Sequence, residues 1–382
     1  MANNFDELIP EMYAALKDLG REIVGFIPCV NKNTGLEGAA VGQTISIPVT
    51  SVGEPEDIEE SMDLGDKVQG RASTINMTIN KSRTVRFSYG GEETKGLQNG
   101  GNFSLVFKNQ MLESMRKLVK EIEQDCAEAA IVGSSRAYGT PGNAPFGTAG
   151  DLSDFAQMAR ILDENGAPVS DRALVLSSTA FANLRGKQTI LLKTNEAGSD
   201  EFLRTGYSAP VEGFSLFNSN GLKLHEKGAG TGYVTNFAEG YKIGDKAIAV
   251  DTGSGIVKAG DVVKFAGDNE KYVIGKGIDA PGTLEINDPG LMQSLADGVA
   301  MTSEGNYTPC IALHRNAIAL ITRPPAAPLN DAAEDVTYVT DPNSGLTFEV
   351  RLYKGRRCVT YEVGIAWGVK CVNPHLVATL MG

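Results

Sequence analysis

Catalytic raw material is scarce in this chain. Its three histidines, His225, His314 and His375, lie far apart. None stands in an HExxH or comparable spacing, so a histidine-held metal is not expected. Five cysteines (Cys29, Cys126, Cys310, Cys358, Cys371) form no CxxC pair and no regular series. Such an odd, scattered set reads as reduced, buried thiols of a cytoplasmic product, not as a disulfide framework. There is no P-loop. The glycines of GAGTG at 228–232 lack the strand before and helix after that a dinucleotide fingerprint requires, and GSSRAYG at 133–139 is not a GxSxG elbow. No run approaches the ~18 apolar residues of a membrane span. The opening MANNFDELIPEMYAALKDLG carries acids where an export signal needs a basic start. The expectation is a soluble chain with no catalytic constellation, no cofactor and no metal site.

Basic residues are also outnumbered: 35 Lys and Arg against 47 Asp and Glu give a formal charge of −12 over 382 residues. That balance argues against a chain that works by gripping phosphates. It is compatible with a surface that stays near nucleic acid without adhering to it.

What the sequence does have is one long helical period. In Ser104–Val132, Leu105, Phe107, Met111, Leu112, Met115, Leu118, Val119, Ile122 and Cys126 recur at three- and four-residue steps, with Glu113, Lys117, Lys120, Glu121 and Asp125 on the other side. Ser104 is expected to cap this helix and Gly133 to stop it in a left-handed conformation. The length predicts a spine, roughly 40 Å long at ~1.5 Å per residue. Ahead of it, an amphipathic helix (Phe5, Leu8, Ile9, Met12, Leu16, Leu19) is expected to be an arm packed on something other than the core. TISIPV, STINMTI and KSRTVRFSY alternate as strands. Between the first two lies a segment with seven acids (Glu54, Glu56, Asp57, Glu59, Glu60, Asp63, Asp66) against Lys67. The returning strands carry Arg71, Lys81, Arg83 and Arg86. Two readings follow: a solvated hairpin with an acidic tip, or a long arm whose acidic tip meets a basic surface on another subunit. A lone hairpin is marginal in water, which favours the second.

After the spine, a Gly/Pro-rich linker opens an α/β unit, with helices predicted over DLSDFAQMARILDENG and STAFANLRG and a strand at ALVLSS. From about 222 to 309 short strands alternate with Gly-Asp turns, suggesting a small β-barrel or sandwich. His314 sits inside an apolar strand and reads as structural. The cationic turn Lys354-Gly-Arg356-Arg357 reads as a solvated hairpin turn or a subunit contact. A β-module followed by a return to α/β character suggests an insertion.

That order of elements resembles the major capsid proteins of tailed bacteriophages, in particular the P22-type coat proteins with the HK97-like shell fold and an inserted β-barrel domain. The segments that carry the resemblance are GFSLFNSNGLKLHEKGAG (213–230), KAGDVVKFAGDNEKYVIGKG (258–277) and CIALHRNAIALITRPPAAP (310–328). The fold class it implies is α+β. It implies an N-terminal arm over 1–40, an extended loop with flanking strands over 41–100, and a peripheral domain with the spine helix over 101–149. An axial domain would take 150–225, an inserted all-β domain 226–308, and 309–382 would return to the axial and peripheral domains. The implied function is structural: many copies assemble as hexamers and pentamers into an icosahedral shell around a double-stranded DNA genome. A scaffolding protein and a portal would be partners during assembly in the bacterial host cytoplasm, with DNA contacted weakly, no membrane, and the virion as the final location. The candidate subunit contacts are Glu54, Glu56, Asp57, Glu59, Glu60, Arg71, Arg83, Arg86, Arg356 and Arg357. The alternatives are an encapsulin-like compartment shell and, from a different class, a soluble α/β enzyme with an accessory β-domain.

Overall fold

A computed structural model describes residues 9–22, 25–50, 72–188, 210–328, 332–341 and 344–382. Helix α1 (Ile9–Glu22), a 3-10 turn at Ile27–Cys29 and strand β1 (Asn31–Thr34) come first. Strands β2 (Thr44–Thr50), β3 (Ala72–Thr78) and β4 (Lys81–Gly90) precede helices α2 (Gly91–Asn99) and α3 (Phe103–Val132). Then come β5 (Arg136–Gly139), α4 (Ser153–Glu164), β6 (Arg172–Leu176), α5 (Ser178–Lys187) and β7 (Phe214–Asn218). A run of short strands succeeds them: β8 (Val234–Thr235), β9 (Ala247–Asp251), β10 (Val262–Phe265), β11 (Lys271–Lys276), β12 (Gly282–Ile286) and β13 (Met301–Ser303). The remaining strands are β14 (Pro309–His314), β15 (Ile318–Arg323), β16 (Asp335–Thr340), β17 (Thr347–Gly355), β18 (Cys358–Cys371) and β19 (Val377–Met381). The class is α+β, as the sequence led one to expect.

The spine helix forms where its period placed it, and its apolar stripe is the floor of the main core. Phe107, Met111, Met115, Leu118, Ile122, Cys126 and Ala130 are buried, one or two per turn. They pack against Tyr361, Val363, Ile365 and Trp367 on the inner face of β18. At the helix start Phe87, Tyr89, Phe103, Phe107 and Tyr361 form an aromatic cluster, with Phe87 stacked on Tyr361 at 5.3 Å and Phe107 edge-on to it at 5.0 Å. The caps differ from expectation. Ser104 does not cap the helix; its hydroxyl donates to Glu11 of α1 at 2.6 Å. Gly133 has φ −86, not a left-handed value. It is required by packing, since a Cβ there would lie 2.3 Å from that of Cys371. Nor is α1 an arm on another body: Met12, Ala15 and Leu16 are fully buried in the main core against α3, and Lys108 pairs with Asp18 at 2.6 Å.

Two large sheets share this chain. The first has six strands in the order β1-β15-β18-β17-β16, with β4 along the remaining edge of β18. The second has eleven, running β7-β6-β14-β19-β5-β11-β12-β9-β8, with β10 and β13 branching from β11. The apolar segment CIALHRNAIALITR around His314 forms two strands, β14 and β15, lying in different sheets. The β-module has its own core (Tyr233, Ile248, Phe265, Tyr272, Ile274, Leu284 and neighbours), yet its ladder is continuous with the α/β unit through the β5–β11 pairing.

That junction is also polar. Arg136 of β5, fully buried, donates to Glu164 of α4 at 2.7 Å, Glu270 of the module at 3.1 Å and Asn165 at 2.9 Å. Arg160 reaches Glu270 at 3.0 Å and Glu164 at 2.8 Å. Burial alone would raise the Glu164 pKa, but the hydrogen bonds from Arg136 and Arg160 together hold it below the ordinary carboxylate value. On the other side of the joint the Asn287 amide donates to Val132 O and Ser134 O, both at 2.7 Å, closing the carboxyl end of the spine helix from the module. Replacing Asn287 with Ala leaves two carbonyls short of a donor. Urea denaturation should show a loss of about 1–3 kcal/mol, with the α3–β18 core retained.

Candidate assembly surfaces

A ribbon made of β2 and β3 stands apart from both sheets. Thr44–Thr50 runs antiparallel to Ala72–Thr78, and among the described residues these strands pair only with each other. Its foot is fixed. Met77 is buried with Ala319 and Ile321, and Ile79 with Ala39 and Ala366, while Ile45 packs between the two groups. The backbone joins in: Ile79 N donates to Gln43 O at 3.0 Å and Asn80 N to Trp367 O at 3.0 Å. Gly368 is needed here, because a Cβ would sit 2.2 Å from Thr78 O. Beyond the foot Ser46, Thr74 and Asn76 are exposed and Ile75 is half-exposed. The acidic residues Glu54, Glu56, Asp57, Glu59 and Glu60, and Arg71, lie outside the described residues.

The third predicted strand of this region, KSRTVRFSY, flanks the ribbon and joins a sheet. Strand β4 pairs along β18 from Lys81↔Trp367 to Gly90↔Cys358, inside the six-stranded sheet. Its cations are answered within the chain. Lys81 reaches Asp125 at 2.7 Å, Arg83 reaches Glu121 at 3.6 Å and Arg86 reaches Glu362 at 2.9 Å. Asp125 also accepts the indole N–H of the fully buried Trp367 at 2.7 Å, so one spine carboxylate ties β4 and β18 at the ribbon's foot. Asp125 stands 44 residues from Lys81 and 242 from Trp367, so no sequence spacing reveals the link.

Arg356 and Arg357 form the exposed two-residue loop between Gly355 and Cys358, which pair across the β17–β18 hairpin. The loop backbone is held by Gly91 N donating to Arg357 O at 3.0 Å. Neither guanidinium has an ion-pair partner among the described residues, whereas Lys354 beside them pairs with Glu334 at 2.7 Å. A groove of about 1000 Å³ runs between this turn and α2, lined by Tyr89, Glu92, Glu93, Lys95, Arg357 and Cys358 among others.

The remaining polar clusters serve the fold. Glu123 accepts Phe26 N and Ile27 N at 2.9 Å and the Ser219 hydroxyl at 2.8 Å, pinning two distant segments to the spine; burial raises its pKa against the lowering effect of these bonds. A smaller cavity of about 320 Å³ adjoins it, but the carboxylate is already taken up by its three donors. His225 meets Asp261 at 2.8 Å, a pair that sequence spacing did not reveal, and Asp261 also accepts Gly228 N and Lys258 N. His314 accepts Asn316 N at 3.2 Å, a structural role, and burial lowers its pKa. The five cysteines are free thiols. Among the described residues no group of three or more His, Cys, Asp or Glu is placed to hold a metal ion, and no helix is long and apolar enough to cross a membrane.

No family model and no curated protein matches the chain. Among solved structures it is similar to a chain of Mycobacterium phage Che8 at 13% identity and TM-score 0.44, over 89% of this chain and 84% of that one. It is similar to a chain of the capsid of the cyanophage P-SCSP1u at 12% identity and TM-score 0.49, over 94% and 88%. A chain of the virus-like particle from Pyrococcus furiosus is similar at 10% identity and TM-score 0.44, over 97% and 98%. At such identities and scores these likenesses carry no residue role and no activity over to this chain.

The Asp125 link is open to direct measurement. Asp125→Ala strands the buried indole N–H of Trp367 and should lower stability by about 1–3 kcal/mol in chemical denaturation. Asp125→Asn keeps an acceptor there and should lose clearly less; equal losses would mean that the Trp367 bond contributes nothing.

Proposed function

We propose that this chain is the structural subunit of a closed protein shell: a tailed-phage major capsid protein that assembles in many copies around double-stranded DNA. The observation that carries the reading is the ribbon. Two strands footed on one sheet, exposed at Ser46, Thr74 and Asn76 and joined in sequence by a strongly acidic segment, are too thin to hold a core of their own. A lattice subunit needs such reaching segments, because each copy must be tied to its neighbours by surfaces that close only on assembly. The bolted joint between the α/β unit and the β-module supports the same reading, since a shell wall requires a rigid wedge.

In these terms residues 1–40 are the N-terminal segment, 41–100 the extended loop with its flanking strands, and 101–149 the peripheral part with the spine. Residues 150–225 and 309–382 form the axial part and the return, and 226–308 the inserted all-β domain of a P22-type, HK97-like subunit. The formal charge of −12 suits a wall that encloses DNA without binding it tightly. A scaffolding protein and a portal are the partners expected during assembly in the host cytoplasm, and the virion shell is the destination.

Electron microscopy with size-exclusion chromatography, on the protein expressed alone and with a scaffold-like neighbour product, tests this. Shells, sheets or capsomer-sized rings are expected. A clean monomer or dimer under both conditions would reject the shell and favour a soluble enzyme or binding module. Shells that enclose a protein cargo in place of DNA would support an encapsulin-like compartment. Reversing Glu56, Asp57, Glu59 and Glu60 to Lys should leave the monomer folded by circular dichroism and reduce shell yield several-fold; unaltered shells would remove the ribbon from the interface.

A further inference from the structure

The geometry points to a nucleotide site in the cleft between α3, the end of α1 and the loop after β7. It takes an adenine nucleotide with the base inward and the phosphate at the mouth. The cavity there, about 320 Å³, is of the size that holds a small organic ligand. Leu19 and Val119 give it aliphatic walls, buried Ser219 marks its inner end, and exposed Lys120 with half-buried Arg116 marks its mouth.

The residue that asks for a ligand is Asn218, in the wall of this cavity. Its side-chain oxygen is buried and has no hydrogen-bond partner among the described residues. Its place at the end of β7 is fixed by the pairing with Leu176, and its neighbours are already committed. Ser219 donates to Glu123 at 2.8 Å and accepts Gly221 N at 3.1 Å, and Glu123 is held by Phe26 N and Ile27 N. A buried acceptor left unmet destabilises the fold, so what the site lacks is a donor from outside the chain. An asparagine amide matches the N6 and N7 edge of adenine, accepting from one and donating to the other. Guanine or thymine would turn O6 or O4 toward the unmet oxygen, and cytosine offers its amine without the second acceptor beside it.

Charge gives a second, independent support. Arg116 and Lys120 stand one turn apart on α3, a like-charge spacing that destabilises a helix unless an anion lies between them. Arg116 also pairs with Glu113. Lys120 has no ion-pair partner among the described residues, which makes it the principal phosphate contact. From Arg116 to Glu123 the spine rises roughly 10 Å at ~1.5 Å per residue, a span that a nucleoside monophosphate covers from base amine to phosphate. Glu123 lies at the amine end, where an acceptor does not oppose the pose. One or two cations suffice for a single phosphate, so the site agrees with a chain of formal charge −12 that does not grip a duplex. A base paired within a duplex cannot enter; the nucleotide is either free or an unpaired residue of a single strand.

Isothermal titration of the full-length chain with the monophosphates of adenosine, cytidine, guanosine and uridine tests the site. Adenosine monophosphate should bind roughly tenfold tighter than the guanosine or uridine compound. Asn218→Ala should lose that preference, and its melting temperature without nucleotide should not fall, because the variant removes an unmet acceptor. Lys120→Ala should weaken all four monophosphates alike, by roughly three- to tenfold, and flatten the salt dependence while keeping the preference for adenine. Fluorescence anisotropy with short oligo(dA) and oligo(dT) strands separates the two sources. Tighter binding of oligo(dA) than of the monophosphate assigns the site to a single strand, the reverse assigns it to free nucleotide, and either supports it. No binding of any monophosphate and no preference for oligo(dA) would leave the cavity to water and overturn the proposal. So would an affinity that ignores the base, or an adenine preference that survives Asn218→Ala. None of these readouts depends on assembly, so the shell reading stands or falls separately.

Discussion

One face of α3 has to be kept from water, and most of the molecule is arranged to do so. The stripe from Phe107 to Ala130 is too long for any single element to cover. Helix α1 takes one flank, β18 and β4 take the other, and the 3-10 turn at Ile27–Cys29 fills a corner. Each large apolar side chain fully buried there contributes on the order of 1.5–3 kcal/mol, which is why two sheets and a terminal helix can be gathered by one rod. The helix also carries the polar pins. Glu123 fixes the segment after α1 and the loop after β7, and Asp125 fixes β4 and β18. Apolar burial makes the gathering favourable; the carboxylates decide the register in which it happens.

The same distinction explains what could be read from the sequence. The period of α3 is local, and it survived to within a residue at its start. The strands β2, β3 and β4 were all legible as strands, because alternation reports that one face is covered. It does not report by what: KSRTVRFSY alternates like the ribbon strands although it belongs to β18's sheet. For the same reason the short helix α1 looked like an arm: amphipathicity shows that a partner exists without naming it. His314-Arg-Asn-Ala317 carries no glycine or proline to mark the passage between sheets, so the boundary of β14 and β15 is not legible there. The joint at Arg136 was out of reach, since Glu164 and Glu270 become its neighbours only when β5 pairs with β11. The turn Arg356–Arg357 was visible as a cluster of charge. Its backbone conformation, and the lack of an ion pair among the described residues, needed three dimensions.

The β-module was expected as a small barrel or sandwich, and its buried side chains form a cluster of their own. Its edge is shared. By lending β11 to β5, and Asn287 to the end of α3, it replaces a flexible tether with a hydrogen-bonded seam.

The position of β19 bears on how the subunit is made. It lies between β14 and β5, antiparallel to one and parallel to the other, near the middle of the larger sheet. Strand β5 is synthesised far ahead of it and has to wait, one edge unfilled, until residues 377–381 leave the ribosome. Pairings across such long stretches of chain form slowly. A nascent chain therefore holds this sheet incomplete until β19 arrives to fill the gap between β14 and β5.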